Sequence, residues 1–211
     1  MNWQRARQPS QKVERHQAIL NAAGALFDTQ EISEISMRDI ADRAGLGKAS
    51  LYHYFKTKEE VFLSLYRAEF DLWLADVDSR LRRLRKPNVA RIASALTDAL
   101  RNRTRFCRLA SVFSAVLEHN LSEEFIREFK QSLLVPMGQL VELLQSVHPG
   151  LTDECALRLM YQHHAIVAGL WPLAHPSPQV EAVLLDPEFQ LLRIDFFQLF
   201  ETSMRQLLQS P

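Results

Sequence analysis

The stretch "GLGKASLYHYFKTKEE", Gly45–Glu60, decides how this chain folds. It crowds two glycines, two tyrosines, a histidine and the lysines Lys48, Lys56 and Lys58 into less than five helical turns. A core helix would be more apolar and a loop less aromatic. The direction of the side chains resolves this. With Leu51 inward, Phe55, one turn on, is inward too. At about 100° per residue Ala49 and His53 then face away, flanked by Tyr52 and Lys56. That outer face is small, hydrogen-bonding and basic. It suits a helix that enters a major groove about 12 Å wide and touches base edges.

The residues on either side support that reading. In "SMRDIADRA", Ser36 is an N-cap with Asp39 three residues on, the spacing of a capping box. Ile40, Ala41 and Ala44 face inward, and Gly45 suits the left-handed position that ends a helix. Leu46 tucks into the core and a new helix starts near Lys48, giving a helix-turn-helix layout. Upstream, a helix is expected from about Gln11 to Thr29, with Ile19, Ala23, Leu26 and Phe27 on one face. Downstream, Thr57 and Glu60 form a second capping box, opening a helix with the apolar stripe Phe62, Tyr66, Phe70, Trp73 and Val77. Five further helices are expected at about 88–104, 106–118, 122–147, 152–173 and 187–209. Pro136 should kink the third of these. The expectation is an all-α chain of about nine helices, with a three-helix domain over 1–58 and a helical domain over 59–211.

Composition narrows the class. Of 211 residues, 47% are apolar and 24% charged, enough for a sizeable core. Cys107 and Cys155 are the only cysteines, which argues against a disulfide framework and for a reducing, cytoplasmic setting. The N-terminus lacks an apolar signal segment. The longest charge-free run, Leu159–Val180, carries three histidines and three prolines, which argues against a membrane span. Net charge is zero, but positive charge gathers at Arg5, Arg7, Lys12 and Arg15 and again at Lys48, Lys56 and Lys58.

Residues 15–62 resemble the TetR-type family of transcriptional repressors. The resemblance rests on "ILNAAGALF" and "SMRDIADRAGLGKASLYHYFKTKEEVF". The matched positions are Ala22–Ala23, Phe27, Ile40–Ala41, Ala44–Gly45, Leu51–Tyr52, Phe55 and Lys58–Glu59. The resemblance implies DNA contacts at Arg38, Lys48, Ala49, Ser50, Tyr52, His53 and Lys58. It also implies a palindromic double-stranded operator and an N-terminal arm (Arg5, Arg7) on phosphate. Four positions depart from the family pattern: Glu31 stands for glycine, Ile35 for threonine, Gly47 for serine and Ala49 for glycine. Glu31 raises the prospect of a costly left-handed backbone, and the Ala49 methyl alters the DNA face.

In that family the C-terminal domain binds a small effector and dimerises through its last two long helices. Here the final helix carries Phe189, Leu192, Phe196, Phe197, Leu199, Phe200, Met204, Leu207 and Leu208 over about half its circumference, more than the stripe of about 100° a monomer needs. Phe189, Leu192, Phe196 and Leu199 are the candidate interface, and Phe113, Met137, His163 and Trp171 the candidate pocket lining. A metal site is not expected. His163 and His164 point to different helix faces, and no ligand quartet has zinc-like spacing. No cofactor is expected. The leading reading is a homodimeric repressor released from DNA by a small molecule. The alternatives are a similar regulator without a small ligand and an all-α enzyme with a vestigial helix-turn-helix. No nucleophile–base pair or phosphate loop favours the last.

Overall fold

The structure, a computed structural model, describes residues 9–113 and 120–209. Among these residues the fold is all-α. The helices are α1 (Pro9–Phe27), α2 (Met37–Arg43), α3 (Lys48–Tyr52), α4 (Lys58–Arg82), α5 (Val89–Asp98), α6 (Thr104–Val112), α7 (Glu123–Val147), α8 (Asp153–Ala174), α9 (Pro178–Leu184) and α10 (Phe196–Gln209). A 3-10 helix spans Pro187–Leu192. Ten α-helices stand among the described residues, where about nine were expected. Arg5, Arg7 and the far end of the helix expected at 106–118 lie outside the described residues.

Local chemistry sets the N-terminal boundaries. Ser36 and Asp39 form the capping box in full: the Ser36 N–H donates to Asp39 Oδ2 at 2.9 Å, and the Asp39 N–H to Ser36 Oγ at 3.3 Å. Gly45 takes φ +66°, and the bonds Leu46 N–H to Ala41 O and Gly45 N–H to Asp42 O complete a Schellman stop. At α4 the second box is altered. Thr57 Oγ1 accepts from the Glu60 N–H, but the Glu60 carboxylate accepts from the Lys56 N–H at 2.6 Å. Glu31 escapes the left-handed backbone, since Asn120 is the only non-glycine with positive φ among the described residues. Its N–H donates to Glu34 Oε2 instead.

One continuous apolar core runs through the chain. The α4 stripe Phe62, Tyr66, Phe70, Trp73 and Val77 is buried, and α4 packs against α1, α5, α6 and α7. The second layer is α6 against α8, with α10 closing over α5 and α8. Helix α7 continues on both sides of buried Pro136.

The C-terminal end departs most from expectation. The helix expected over 187–209 is divided: the 3-10 turn ends at Leu192, Arg193 is extended, and α10 starts only at Phe196. Asp195 starts it, its Oδ1 accepting from the Gln198 N–H at 2.9 Å. Pro178, read as part of a connector, instead opens α9 at its first turn. The division changes the interface assignment. Phe196 faces its own core, packed on Trp171 and Phe200. Phe189 is half-buried, while Leu192 and Leu199 are exposed. Phe196→Ala should therefore cost about 3–5 kcal/mol by the cavity it opens. Leu199→Ala should cost less than about 1 kcal/mol, both read from urea unfolding of the isolated chain.

Candidate DNA-binding face and ligand pocket

The outer surface of the helix-turn-helix is built as the wheel of α3 requires. Leu51 and Phe55 are buried, and Lys48, Ala49, Tyr52 and His53 are exposed on the opposite side. Ser50 is half-buried. The Lys48 ammonium sits 5.9 Å from the centre of the Tyr52 ring, so the two act as one basic, flat unit. Arg38 projects from α2, exposed, with Asp42 3.6 Å away. The face is basic and hydrogen-bonding, and the Ala49 methyl leaves room for close approach.

Lys58 is placed differently from expectation. Its ammonium donates to the carbonyls of Ile32 at 2.8 Å and Ile35 at 3.0 Å. It fastens the α1–α2 connection to the start of α4, so in this structure it is a strut and not part of the outer face.

The sequence reading missed a second set of contacts, made by two arginines of α6. Arg105 donates from Nε and a terminal nitrogen to both Asp28 oxygens, at 2.9 and 2.6 Å, and to Glu69 Oε1 at 2.8 Å. Its hydrogen bonds hold the Asp28 carboxyl below the usual carboxylate range. The guanidinium lies against Gly24 of α1, where an added Cβ would stand 2.9 Å from it. Arg108 stacks over Phe27 and donates to the carbonyls of Phe27 and Gln30, capping the C-terminal end of α1, with Glu31 3.3 Å away. The departure at Glu31 thus acquires a partner. The only sequence signal was the basic "RFCR" register, in which residues three apart share a face.

The other face of α6 borders a partly open cavity of about 520 Å³ between α4, α6, α7 and α8. Its walls include Tyr66, Phe70 and Trp73 of α4, Phe106 and Phe113 at α6, and Lys130 and Met137 of α7. Of the residues expected there, Phe113, Met137 and His163 line it. Trp171 does not: its ring stacks on His175 and meets Phe196 edge-on. The Tyr66 hydroxyl and His164 Nδ1 are 3.3 Å apart. Burial pushes the Tyr66 hydroxyl up and His163 down to about 3, with neighbouring His164 adding to the latter. No cluster of three or more His, Cys, Asp or Glu able to hold a metal exists among the described residues. No described helix is long and apolar enough to cross a membrane.

An N-terminal helix-turn-helix with a basic outer face, continuous with a larger all-helical domain, defines the class as a helical DNA-binding regulator. The tetR family of bacterial regulatory proteins matches residues 19–65, and the tetracyclin repressor-like C-terminal domain matches residues 67–209. The chain belongs to the TetR family of transcriptional regulators, which are not enzymes. The HTH-type transcriptional repressor KstR2 of Mycolicibacterium smegmatis is 39% identical over 66 residues, 31% of this chain and 32% of that protein. The regulator EthR of the same organism is 44% identical over 52 residues, 25% and 24% of the two chains. The chain thus spans about a third or less of these relatives' length. The fold is shared over nearly the whole chain. A transcriptional regulator from Rhodococcus sp. Rha1 matches with TM-score 0.57 and 24% identity over 92% of this chain and 96% of that one. The fatty acid degradation regulator FadR from Bacillus halodurans matches with TM-score 0.59 and 16% identity over 93% and 95%.

His163 gives the pocket a pH signature. Between its ordinary value of 6.5 and about 3, the unfolded chain binds a proton on His163 that the folded chain excludes. Stability therefore falls as pH drops through that window, by up to about 1.4 kcal/mol per pH unit. Between pH 7 and 5 the wild type should lose about 2 kcal/mol more than His163→Phe, measured by urea unfolding at both pH values.

Proposed function

We propose that the chain acts as a homodimeric, sequence-specific repressor that leaves its operator when a small molecule fills the pocket. The observation that carries this reading is the double role of α6. Phe106 and Phe113 wall the cavity, while Arg105 and Arg108, on the same short helix, grip the end of α1. Helix α4 links the two regions as well, from Lys58 at the α1–α2 connection to Tyr66, Phe70 and Trp73 at the pocket. A ligand that shifts either helix shifts the helix-turn-helix. It acts only through its preference for the DNA-incompetent arrangement.

On DNA, Lys48 and Tyr52, with the arm residues Arg5 and Arg7, hold phosphate, and Ala49, His53 and Arg38 meet base edges. Two copies then read half-sites about 34–36 Å or a multiple apart. For the dimer, α8 presents Leu157, Tyr161, Ala165, Gly169 and Leu173 at four-residue steps, all exposed, and α10 adds Leu199. Small residues between larger apolar ones favour close helix packing by a second copy. The reading places the chain inside the cell, where the operator is.

Titration on a selected operator and on random duplex at several salt concentrations tests the DNA face. His53→Ala should lose about 1–3 kcal/mol on the operator and much less on random DNA. Lys48→Ala should weaken both and flatten the salt slope by about 0.9. Lys58→Met should lower thermal stability and leave that slope as in wild type. Failure of selection from random DNA to enrich any duplex would remove the repressor reading.

Sedimentation tests the dimer. The wild type should run as a dimer at micromolar concentration and Tyr161→Asp as a folded monomer, with unchanged helix content. A wild-type monomer would refute the assignment of α8.

A further inference from the structure

The chemistry of the pocket walls constrains what the pocket accepts. Wall positions on α7 run from Lys130 to Leu144 in three- and four-residue steps, about 21 Å of helix at 1.5 Å per residue. The cavity is therefore long for its volume of about 520 Å³. Among the described wall residues there is no acid, and Lys130 is the only lysine or arginine. A cationic ligand would find no counter-charge among them.

Lys130 stands at one end, its ammonium 5.3 Å from the centre of the Phe113 ring. From Phe113 a line of rings leads away: Tyr66 at 4.8 Å, then Phe106 at 5.6 Å, then Trp73 at 5.6 Å, then His163 at 4.8 Å. At this second end Trp73 Nε1 and His163 Nε2 are both buried and make no hydrogen bond among the described residues. Native structures rarely leave such groups without a partner. The indole can only donate, and a neutral imidazole nitrogen donates or accepts according to its tautomer. Burial keeps His163 neutral, so it offers no charge to a carboxylate.

We infer that the pocket takes an elongated, uncharged, mainly apolar molecule whose carbonyl or hydroxyl oxygen is bound at Trp73 and His163. This rests on the reading of the cavity as the effector site. The oxygen supplies the acceptor that the Trp73 N–H lacks, and the apolar body lies along the Phe106–Tyr66–Phe113 rings towards Lys130. Charge on the ligand at the Trp73 end would be desolvated without compensation.

The test is a calorimetric titration of the full chain with five ten-carbon probes: decane, 2-decanone, 2-decanol, decanoate and decylamine. Each is repeated on Trp73→Phe and His163→Phe. In wild type the ketone and alcohol should bind at least about tenfold tighter than the other three. Each ring variant should remove about three- to tenfold of the preference for ketone and alcohol over decane, the worth of one hydrogen bond, with helix content as in wild type as the sign of an intact fold. Tightest binding by decanoate, lost in Lys130→Met, would overturn the inference while keeping the effector site. So would a ketone preference that survives in both ring variants. Binding by none of the five would remove the effector site together with the inference. Ketone binding with the expected losses, but no change in operator affinity, would uphold the ligand class and refute release by ligand.

Discussion

The aromatic stripe of α4 is the contact on which the rest of the fold depends. Phe62 packs on Phe27 of α1, while Tyr66, Phe70 and Trp73 pack on Phe106 of α6. Each such burial contributes roughly 1.5–3 kcal/mol as an upper estimate. Because the stripe is shared, no gap separates the helix-turn-helix from the helices behind it. The boundary expected between residues 58 and 59 falls at the first turn of α4 itself. The helix that carries the pocket wall is also the helix that fastens the α1–α2 connection.

The polar counterpart is the pair of arginines on α6. Glu69 is nearly buried, which is tolerable because Arg105 pairs with it. Asp28 completes the same guanidinium, and Arg108 satisfies carbonyls left open at the end of α1. These contacts are directional where the apolar core is not. They fix the angle at which α1, and through it the DNA face, meets the pocket helices. Gly24 makes the approach possible by presenting no side chain under the guanidinium. The two couplings, apolar through α4 and polar through α6, converge on Phe106, which touches Tyr66, Phe70 and Trp73 and is flanked in sequence by Arg105.

Legibility followed the range of the interactions. The Ser36–Asp39 box, the Gly45 stop and the outward side of α3 are set within a few residues, and the sequence carries all three. The α4 stripe was equally plain, because helical spacing alone marks it. The C-terminal break was not. Asp195 three residues before Gln198 is a capping signal, but it lies inside an apolar run whose spacing continues that of one long helix. Phe196 and Leu199 show the same limit: both are large and apolar, and only the packing of α10 on α8 turns one inward and leaves the other out.

The sequence by itself therefore determined the all-α class, the helix-turn-helix and the residues on its outer face, since caps, glycine backbone freedom and periodicity act locally. Tertiary structure alone decided that Lys58 spends its charge on two carbonyls, that Arg105 and Arg108 hold α1, and which aromatic rings face the cavity. Those outcomes join residues from 23 to 98 positions apart. Nothing in local spacing specifies which distant carbonyl or ring will lie within reach once the helices pack.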